Sequence, residues 1–306
     1  MNRLLCACVA SALGLAEARP CEGAVVNEHL YRLGEADVPA AVALGPGDNP
    51  TVDSGTIPAN AAKVGLTFYH AKGSPPVLQG LVSGSTVAME FTNIDSRYVA
   101  AAALSGVTEN FGMEVYIQVS AGVAEARAFY NGGDGTPFAV LTSGYGLGIH
   151  GGKYAAIVGG AVFPTPVAAV PGAPVAIALV NTGGGHFDVY VQKLLVSSFV
   201  APVVPPLATE MLSMGNVVGN QSPPAFAGVL DEARVFTFVP GGFDPKTDLG
   251  AAAAITLAGT PGQPNCHGKS ISALARQFGG LPAAATAMGL TSVPELQDAV
   301  RAFCQE

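Results

Sequence analysis

Residues 226–238 read FAGVLDEARVFTF. Val, Phe and Thr in alternating positions, opened by a glycine, describe a β-strand of a half-buried sheet. Two adjacent acids, Asp231 and Glu232, sit in its middle. In a regular strand neighbours face opposite sides of the sheet, so only one of these carboxylates can reach any shared site. The pair therefore reads first as sheet pattern and only secondly as chemistry.

The same kind of segment recurs through the chain. Short runs rich in Val, Ile, Tyr and Phe, each closed by Gly, Pro, Asn or Asp, place candidate strands at 29–33, 62–70, 86–91, 111–119, 126–131, 138–143, 146–151, 153–158, 175–181, 187–198, 210–215 and 228–238. Many short strands with turn signals between them mark a sandwich or barrel. The loops NGGDGTP (131–137) and NTGGGH (181–186) supply the positive-φ residues that hairpins require. No long helical pattern precedes residue 244, and no internal repeat is present.

After Phe243 the composition changes. Residues 244–264 form an Ala/Gly/Pro linker, with one apolar segment free to dock on the domain before it. Residues 265–306 then carry three helical patterns. SISALARQFGG (270–280) has Ser270 as a cap, a stripe of Ile271, Leu274, Ala275 and Phe278, and a Gly279-Gly280 stop. SVPELQDAVRAFC (292–304) opens with a Ser292/Glu295 capping box and carries Leu296, Ala299, Val300 and Phe303 on one face. LPAAATAMG (281–289) lies between them. So short a unit cannot bury much core unaided, and a Cys266–Cys304 disulfide, worth ~3–4 kcal/mol by chain entropy, is the physically apt staple.

The first residues, MNRLLCACVASALGLAEARP, give Arg3, an apolar run from Leu4 to Leu15 and Ala16-Glu17-Ala18, the layout of a secretory signal with cleavage after Ala18. Residues 19–28 are then a lead-in and 29–243 the β domain. Of the five cysteines, Cys6 and Cys8 leave with the signal, and Cys21 is either free or paired between chains. A secreted, periplasmic or envelope location follows, one in which a disulfide persists. The net charge is −8 without a basic cluster, which excludes a nucleic-acid partner, and no stretch is long and apolar enough to span a membrane in the mature chain.

The order of these pieces resembles the laminin G-like jelly-roll family, within the concanavalin A-like lectin/glucanase group, in its bacterial exported form. The resemblance runs from His29 to about Phe238. HLYRLGE (29–35) looks like the opening strand, TVDSG (51–55) like the Asp-Ser-x-Gly turn with Asp53, and AMEFTNIDSRYVAA (88–101), with Asp95 and Tyr98, like the strand, polar turn and Tyr-Val that follow. FDVYVQKLLVSS (187–198) is similar to the late strand pair, and the Gly-x-hydrophobic-Asp-Glu-hydrophobic-Arg pattern of 228–234 is the most specific match. Two features depart from the family. APVAIAL (173–179) stands where many members carry Trp-His-His-Val-Ala, and Gln192-Lys193 replaces the usual Asp/Asn-Gly, so that hairpin is expected to turn another way. The resemblance implies an all-β, two-sheet antiparallel jelly-roll sandwich; the small disulfide-stapled three-helix segment that follows rests on its own pattern and carries no family resemblance. The resemblance also implies that Asp231 or Glu232 pairs with Arg234 or accepts loop N–H bonds. The second role open to either carboxylate is as a calcium ligand, and acid–base catalysis comes last.

Catalytic signatures are missing. No Glu-x-Asp-x-x-Glu string sets two carboxylates on one strand face, as retaining glycosidases need, and neither Gly-x-Ser-x-Gly, His-Glu-x-x-His nor paired Cys-x-x-Cys occurs. GQPNCHGKS (262–270) is not a phosphate loop: five residues separate its glycines where four are needed, and it reads as a turn into a capped helix. The best ligand candidates are Tyr130, Asn131 and Asp134 in one Gly-rich loop, with His150 and Tyr154 on the next hairpin. These readings favour a non-catalytic binding or adhesion module that presents jelly-roll loops to a glycan or to an extracellular protein. The alternatives are a structural protein whose helical tail docks a partner and, behind it, a divergent glycoside-acting enzyme.

Overall fold

The computed structural model of the chain describes residues 25–33, 50–64, 67–71, 87–91, 97–101, 103–132, 142–215, 226–250, 259, 262–278, 280–287 and 292–305. The signal segment, Cys21, Asp95 and Asp134 lie outside the described residues. The strands are β1 (Val26–Tyr31), β2 (Ala62–Val64), β3 (Thr67–Ala71), β4 (Val87–Phe91), β5 (Arg97–Ala101), β6 (Phe111–Val119), β7 (Ala126–Asn131), β8 (Tyr145–His150), β9 (Lys153–Val158), β10 (Ala161–Ala168), β11 (Pro174–Gly183), β12 (His186–Val191), β13 (Leu194–Val200), β14 (Met211–Met214) and β15 (Gly228–Thr237). They form two antiparallel sheets. One has the order β13-β12-β11-β6-β15-β4-β3, with β1 also on β15; the other has β10-β9-β8-β7-β14-β5-β2.

Alternation explains the core. β6 turns Phe111, Met113, Val115, Ile117 and Val119 inward, where they meet Phe129, Leu147 and Tyr154 of the facing sheet and Leu179, Phe187, Leu230 and Val235 of their own. The expected segment 62–70 is two strands, one in each sheet, rather than one. β10, with Pro164 and Pro166, was not legible as a strand; it lies at a sheet edge, where a missing N–H costs no ladder bond. Thr142 and Ser143 stand outside any strand, and the rest of the 138–143 candidate lies outside the described residues.

The closing strand carries the main correction to simple alternation. β15 pairs along its length with β6, while its other edge pairs first with β4 (228–230) and then with β1 (233–237). At the changeover two residues, Glu232 and Ala233, oppose the single Val115, and Glu232 takes φ 47°. This bulge puts Leu230 and Ala233, three apart, on the same inner face. Arg234, on the outer face, pairs with neither neighbour. It binds Glu114 of β6 (Nε to Oε2 2.7 Å), Asn27 Oδ1 (3.0 Å) and the Asp248 carbonyl, with its guanidinium 4.7 Å from the Phe236 ring centre.

The β12–β13 hairpin also corrects an expectation. Gln192 and Lys193 take φ 54° and 68°, the same double positive-φ turn that Asn-Gly favours, so the substitution keeps the turn geometry rather than changing it. Gln192 is buried, and its side-chain oxygen accepts the Ala176 N–H at 3.2 Å.

Beyond β15, Phe238, Phe243 and Leu249 pack on Ala178, Val180, Tyr190 and Phe236, covering the outer face of the eight-stranded sheet. The segment carries α1 (Pro245–Asp248), capped by Asp244, and its end is pinned by the Gly250 N–H on Glu114 Oε1 (2.7 Å). Phe243, Leu249 and Gly250 thus dock the start of the expected linker on the sheet; residues 251–258 lie outside the described residues. α2 (Cys266–Phe278), α3 (Leu281–Ala287) and α4 (Val293–Gln305) close around Leu274, Ala284, Ala285, Leu296 and Val300. Cys266 and Cys304 are disulfide-bonded with Cα atoms 5.7 Å apart. Ser270 is not the cap. It lies inside α2, buried, and accepts the Gly259 N–H, so Gly268-Lys269-Ser270 is helix rather than a turn.

Candidate functional site: the outer face of β7, β8 and β9

The register of three strands decides what each side chain sees. Arg127, Gly148 and Ala155 lie in one row across β7, β8 and β9, with Tyr130, Gly146 and Ile157 in the next and His150 opposite Lys153 at the hairpin end. These residues face outward, while Ala126, Ile149 and Tyr154 of the intervening row face the core.

Of the five loop candidates, the four that are described, Tyr130, Asn131, His150 and Tyr154, consequently do not gather. Tyr130 lies buried on the outer face beside Ile157 and Val162 and donates its hydroxyl to the Ser143 carbonyl. Burial pushes its pKa above the usual tyrosine range; the nearby Arg127 charge pulls the other way and Glu210 reinforces the rise. Asn131 is fully buried and accepts the Ala103 N–H at 3.1 Å. Tyr154 belongs to the core, its pKa raised by burial. Of the described candidates, only His150 stands at the surface.

Beside His150 lie two residues that the sequence reading passed over, Glu125 and Arg127. Glu125 receives His150 Nδ1 on Oε2 at 2.8 Å and the Gly151 N–H on Oε1 at 2.7 Å, tying the β8–β9 turn to the loop before β7. Gly152 N–H adds a bond to the Ala124 carbonyl. Glu125 and His150, with Arg127, Gly148, Ala155, Ile157 and Val162, line a shallow depression of about 20 Å³. Its floor is low because two residues facing it carry no side chain or a methyl. Gly148 is obligatory: a Cβ there meets the Ala126 carbonyl oxygen at the β7 bulge. The signal was present in the sequence as Glu125-x-Arg127 and Gly146-x-Gly148, spacings that share a strand face.

The buried acids elsewhere are structural. Asp53 accepts His29 Nδ1 (2.6 Å) and the N–H groups of Leu30, Gly55 and Ala59 (each 2.8 Å). Burial opposes its ionisation, yet these donors outweigh it and hold the carboxyl below its ordinary range. Tyr98 is a core residue, edge-on to Phe91. Glu232 pairs with Arg32 (Nε to Oε1 3.0 Å), and Asp231 accepts the Glu232 N–H at 2.9 Å. Glu210 accepts Ser143 Oγ (2.5 Å) and the Leu207 N–H (2.6 Å). Among the described residues no three His, Cys, Asp or Glu side chains converge to hold a metal. No helix among them is long and apolar enough to cross a membrane.

No protein-family model matches the chain, and no curated protein matches it in sequence. Solved structures resemble its shape. Domain 4 of AbnA, a GH43 extracellular arabinanase from Geobacillus stearothermophilus, solved in complex with arabinotriose, gives a TM-score of 0.48 at 15% identity over 71% of this chain and 96% of that one. The receptor-binding domain of botulinum neurotoxin D gives 0.46 at 11% identity over 72% of this chain and 50% of that one. The serotype D ligand-binding domain in complex with N-acetylneuraminic acid gives 0.45 at 11%, covering 72% and 49%. The chain thus spans about half the length of the neurotoxin domains. At such values the likeness is one of general sandwich shape, and what those proteins bind is a property of theirs.

Proposed function

We propose that this chain is an exported, non-catalytic binding module of laminin G-like type that presents the outer face of β7, β8 and β9 to a carbohydrate. The observation that carries this reading is the depression at Glu125, Arg127 and His150: charged walls, an apolar side at Ile157 and Val162, and a floor of Gly148 and Ala155. Directional polar groups beside an apolar surface are what a sugar face requires. A non-catalytic role is supported by the duties of the buried acids, since Asp53, Glu114, Glu210 and Glu232 are each engaged in bonds that hold the sandwich together. Export is supported by the disulfide, which persists in an oxidising compartment, and by the secretory layout of residues 1–18. A glycan array probed with the full chain, with and without calcium, tests the reading. Saccharide binding that weakens in Glu125→Gln and His150→Ala is the expected result; no binding in either condition overturns it.

A further inference from the structure

An edge strand left bare is a template for another strand, and three edge strands here are defended. The outer edge of β1 is bonded by the turn after Asp53, whose Ser54, Thr56 and Ile57 N–H groups donate to the Leu30, Asn27 and Glu28 carbonyls. β10 carries Pro164 and Pro166, and β2 is three residues long. β13, which ends the eight-stranded sheet, reads LLVSSFV, without proline or charge. Its free groups follow from the pairing. Val191 and Leu194 close the two-residue turn, and at the far end the Ala201 N–H donates to the Gly185 carbonyl. The non-hydrogen-bonded pairs between these ends are Tyr190 with Leu195, Asp188 with Ser198 and His186 with Val200. Leu195, Ser198 and Val200 therefore direct N–H and C=O away from β12, and among the described residues no backbone group meets them. A bulge at Val196 leaves residues 197–200 as the regular part of this edge. The same strand exposes Leu194 (39%), Leu195 (56%) and Val200 (74%), three of the seven large apolar side chains at the surface among the described residues.

Charge decides what covers such an edge. No Asp, Glu, Lys or Arg occurs from 194 to 209, in a chain whose net charge is −8. The edge therefore offers a foreign strand no charge by which to be selected. A second copy brings the identical uncharged stretch, and a two-fold axis then sets apolar residues and serines opposite one another with no like charges in contact. The nearest acid, Asp188, stands one strand back, where its Oδ1 accepts Ser198 Oγ at 2.5 Å and lies 3.2 Å from His186 Nε2. Across the axis it would be three strand spacings from its mate, ~14 Å, more than a Debye length. We propose that β13 is a dimerisation edge: two copies pair antiparallel about a two-fold axis through residues 197–200, so that the eight-stranded sheet of one continues into the other. Phe199, stacked on Phe163 of β10 at 3.9 Å, then borders the axis, and Val200 loses its exposure. Since so few regular residues pair in each copy, the interface belongs to the small class and the dimer is weak, with a Kd of about 10–100 μM.

The test is sedimentation velocity of the full chain from about 1 to about 500 μM, a range that brackets this Kd. The chain should pass from monomer to dimer, and hydrogen exchange at the Ser198 and Val200 amides should slow as concentration rises. Ser198→Pro removes an N–H that β12 does not use, and Val200→Lys sets a charge on each side of the axis; each should weaken association about tenfold or more with the circular dichroism unchanged. If Ser198→Pro disturbs the strand, Val200→Lys, at a position 74% exposed, carries the test alone. A monomer at every concentration overturns the proposal, and so does a dimer that keeps its affinity in Val200→Lys or leaves exchange at Ser198 and Val200 unchanged. A monomer whose Ser198 and Val200 amides become protected only when an unrelated Val/Thr-rich peptide is added overturns it in favour of a foreign strand.

Discussion

Asp53 shows how much one side chain can organise. A single carboxylate joins β1, through His29 and the Leu30 N–H, to the turn at Gly55 and Ala59. Replacing it with alanine leaves these buried donors without an acceptor and should cost ~2–4 kcal/mol. Its pH dependence has a definite sign. The folded carboxyl titrates below the unfolded one, so its contribution is complete above the unfolded value of about 4 and is lost as pH falls through the lower folded value. Urea midpoints of wild type and Asp53→Asn between pH 2 and 7 check this: the gap between them should close on acidification below about pH 4. A constant gap would assign the stabilisation to geometry rather than to charge. Glu232 makes the companion point, since the family-like acid pair is a bulge, and its second acid holds Arg32 rather than Arg234.

At the scale of elements, turns and strand edges explain most of what differed from simple pattern reading. The β12–β13 hairpin keeps a double positive-φ turn with two residues that dislike it, because the right-handed twist of the flanking strands demands that geometry. Gln192 is retained by its bond to Ala176, whereas Lys193 makes one exposed bond, to the Lys246 carbonyl. Lys193→Gly should therefore relieve strain and stabilise the protein by about 0.5–1 kcal/mol, raising Tm by about 1–3 °C. Thermal unfolding followed by circular dichroism decides it; a lower Tm would mean that the Lys193–Lys246 bond outweighs the strain. β10 is the complementary case, where two prolines are tolerated because the strand is at an edge.

For the whole molecule, the helical segment has its own small core and its own cross-link. The loop between Cys266 and Cys304 spans 38 residues, for which the chain-entropy estimate is about 4 kcal/mol. That is comparable to what so small a core can contribute. Cys304→Ser, or reduction, should increase hydrogen exchange in α2, α3 and α4 while amides of β6, β11 and β15 keep their protection. Loss of protection in both regions at once would show that the helices and the sandwich unfold as one cooperative unit.

Composition and period carried the architecture a long way. A chain rich in short apolar runs with Gly and Pro between them has few ways to bury its apolar surface other than a sandwich or a barrel, and the pairing of sheets that decides for two sheets is tertiary; the Cys266–Cys304 bond followed from the capped helical tail that the two cysteines bracket. β6, β7 and β9 were legible to the residue because each is a short run rich in apolar and aromatic residues, buried along nearly its whole length. The grouping of polar residues was not. Tyr130, Asn131 and Tyr154 are near in sequence yet look to different sides, because facing is set by period two and by register between strands, and a one-residue offset inverts it. Glu125, Arg127 and His150 meet only when β7, β8 and their connecting turns are paired in one particular register, and that register is imposed by the inward side chains Phe129, Leu147 and Ala156 seeking the core. The hydrophobic demand is written along the chain; which polar groups it throws together on the far side of the sheet is a result of tertiary pairing.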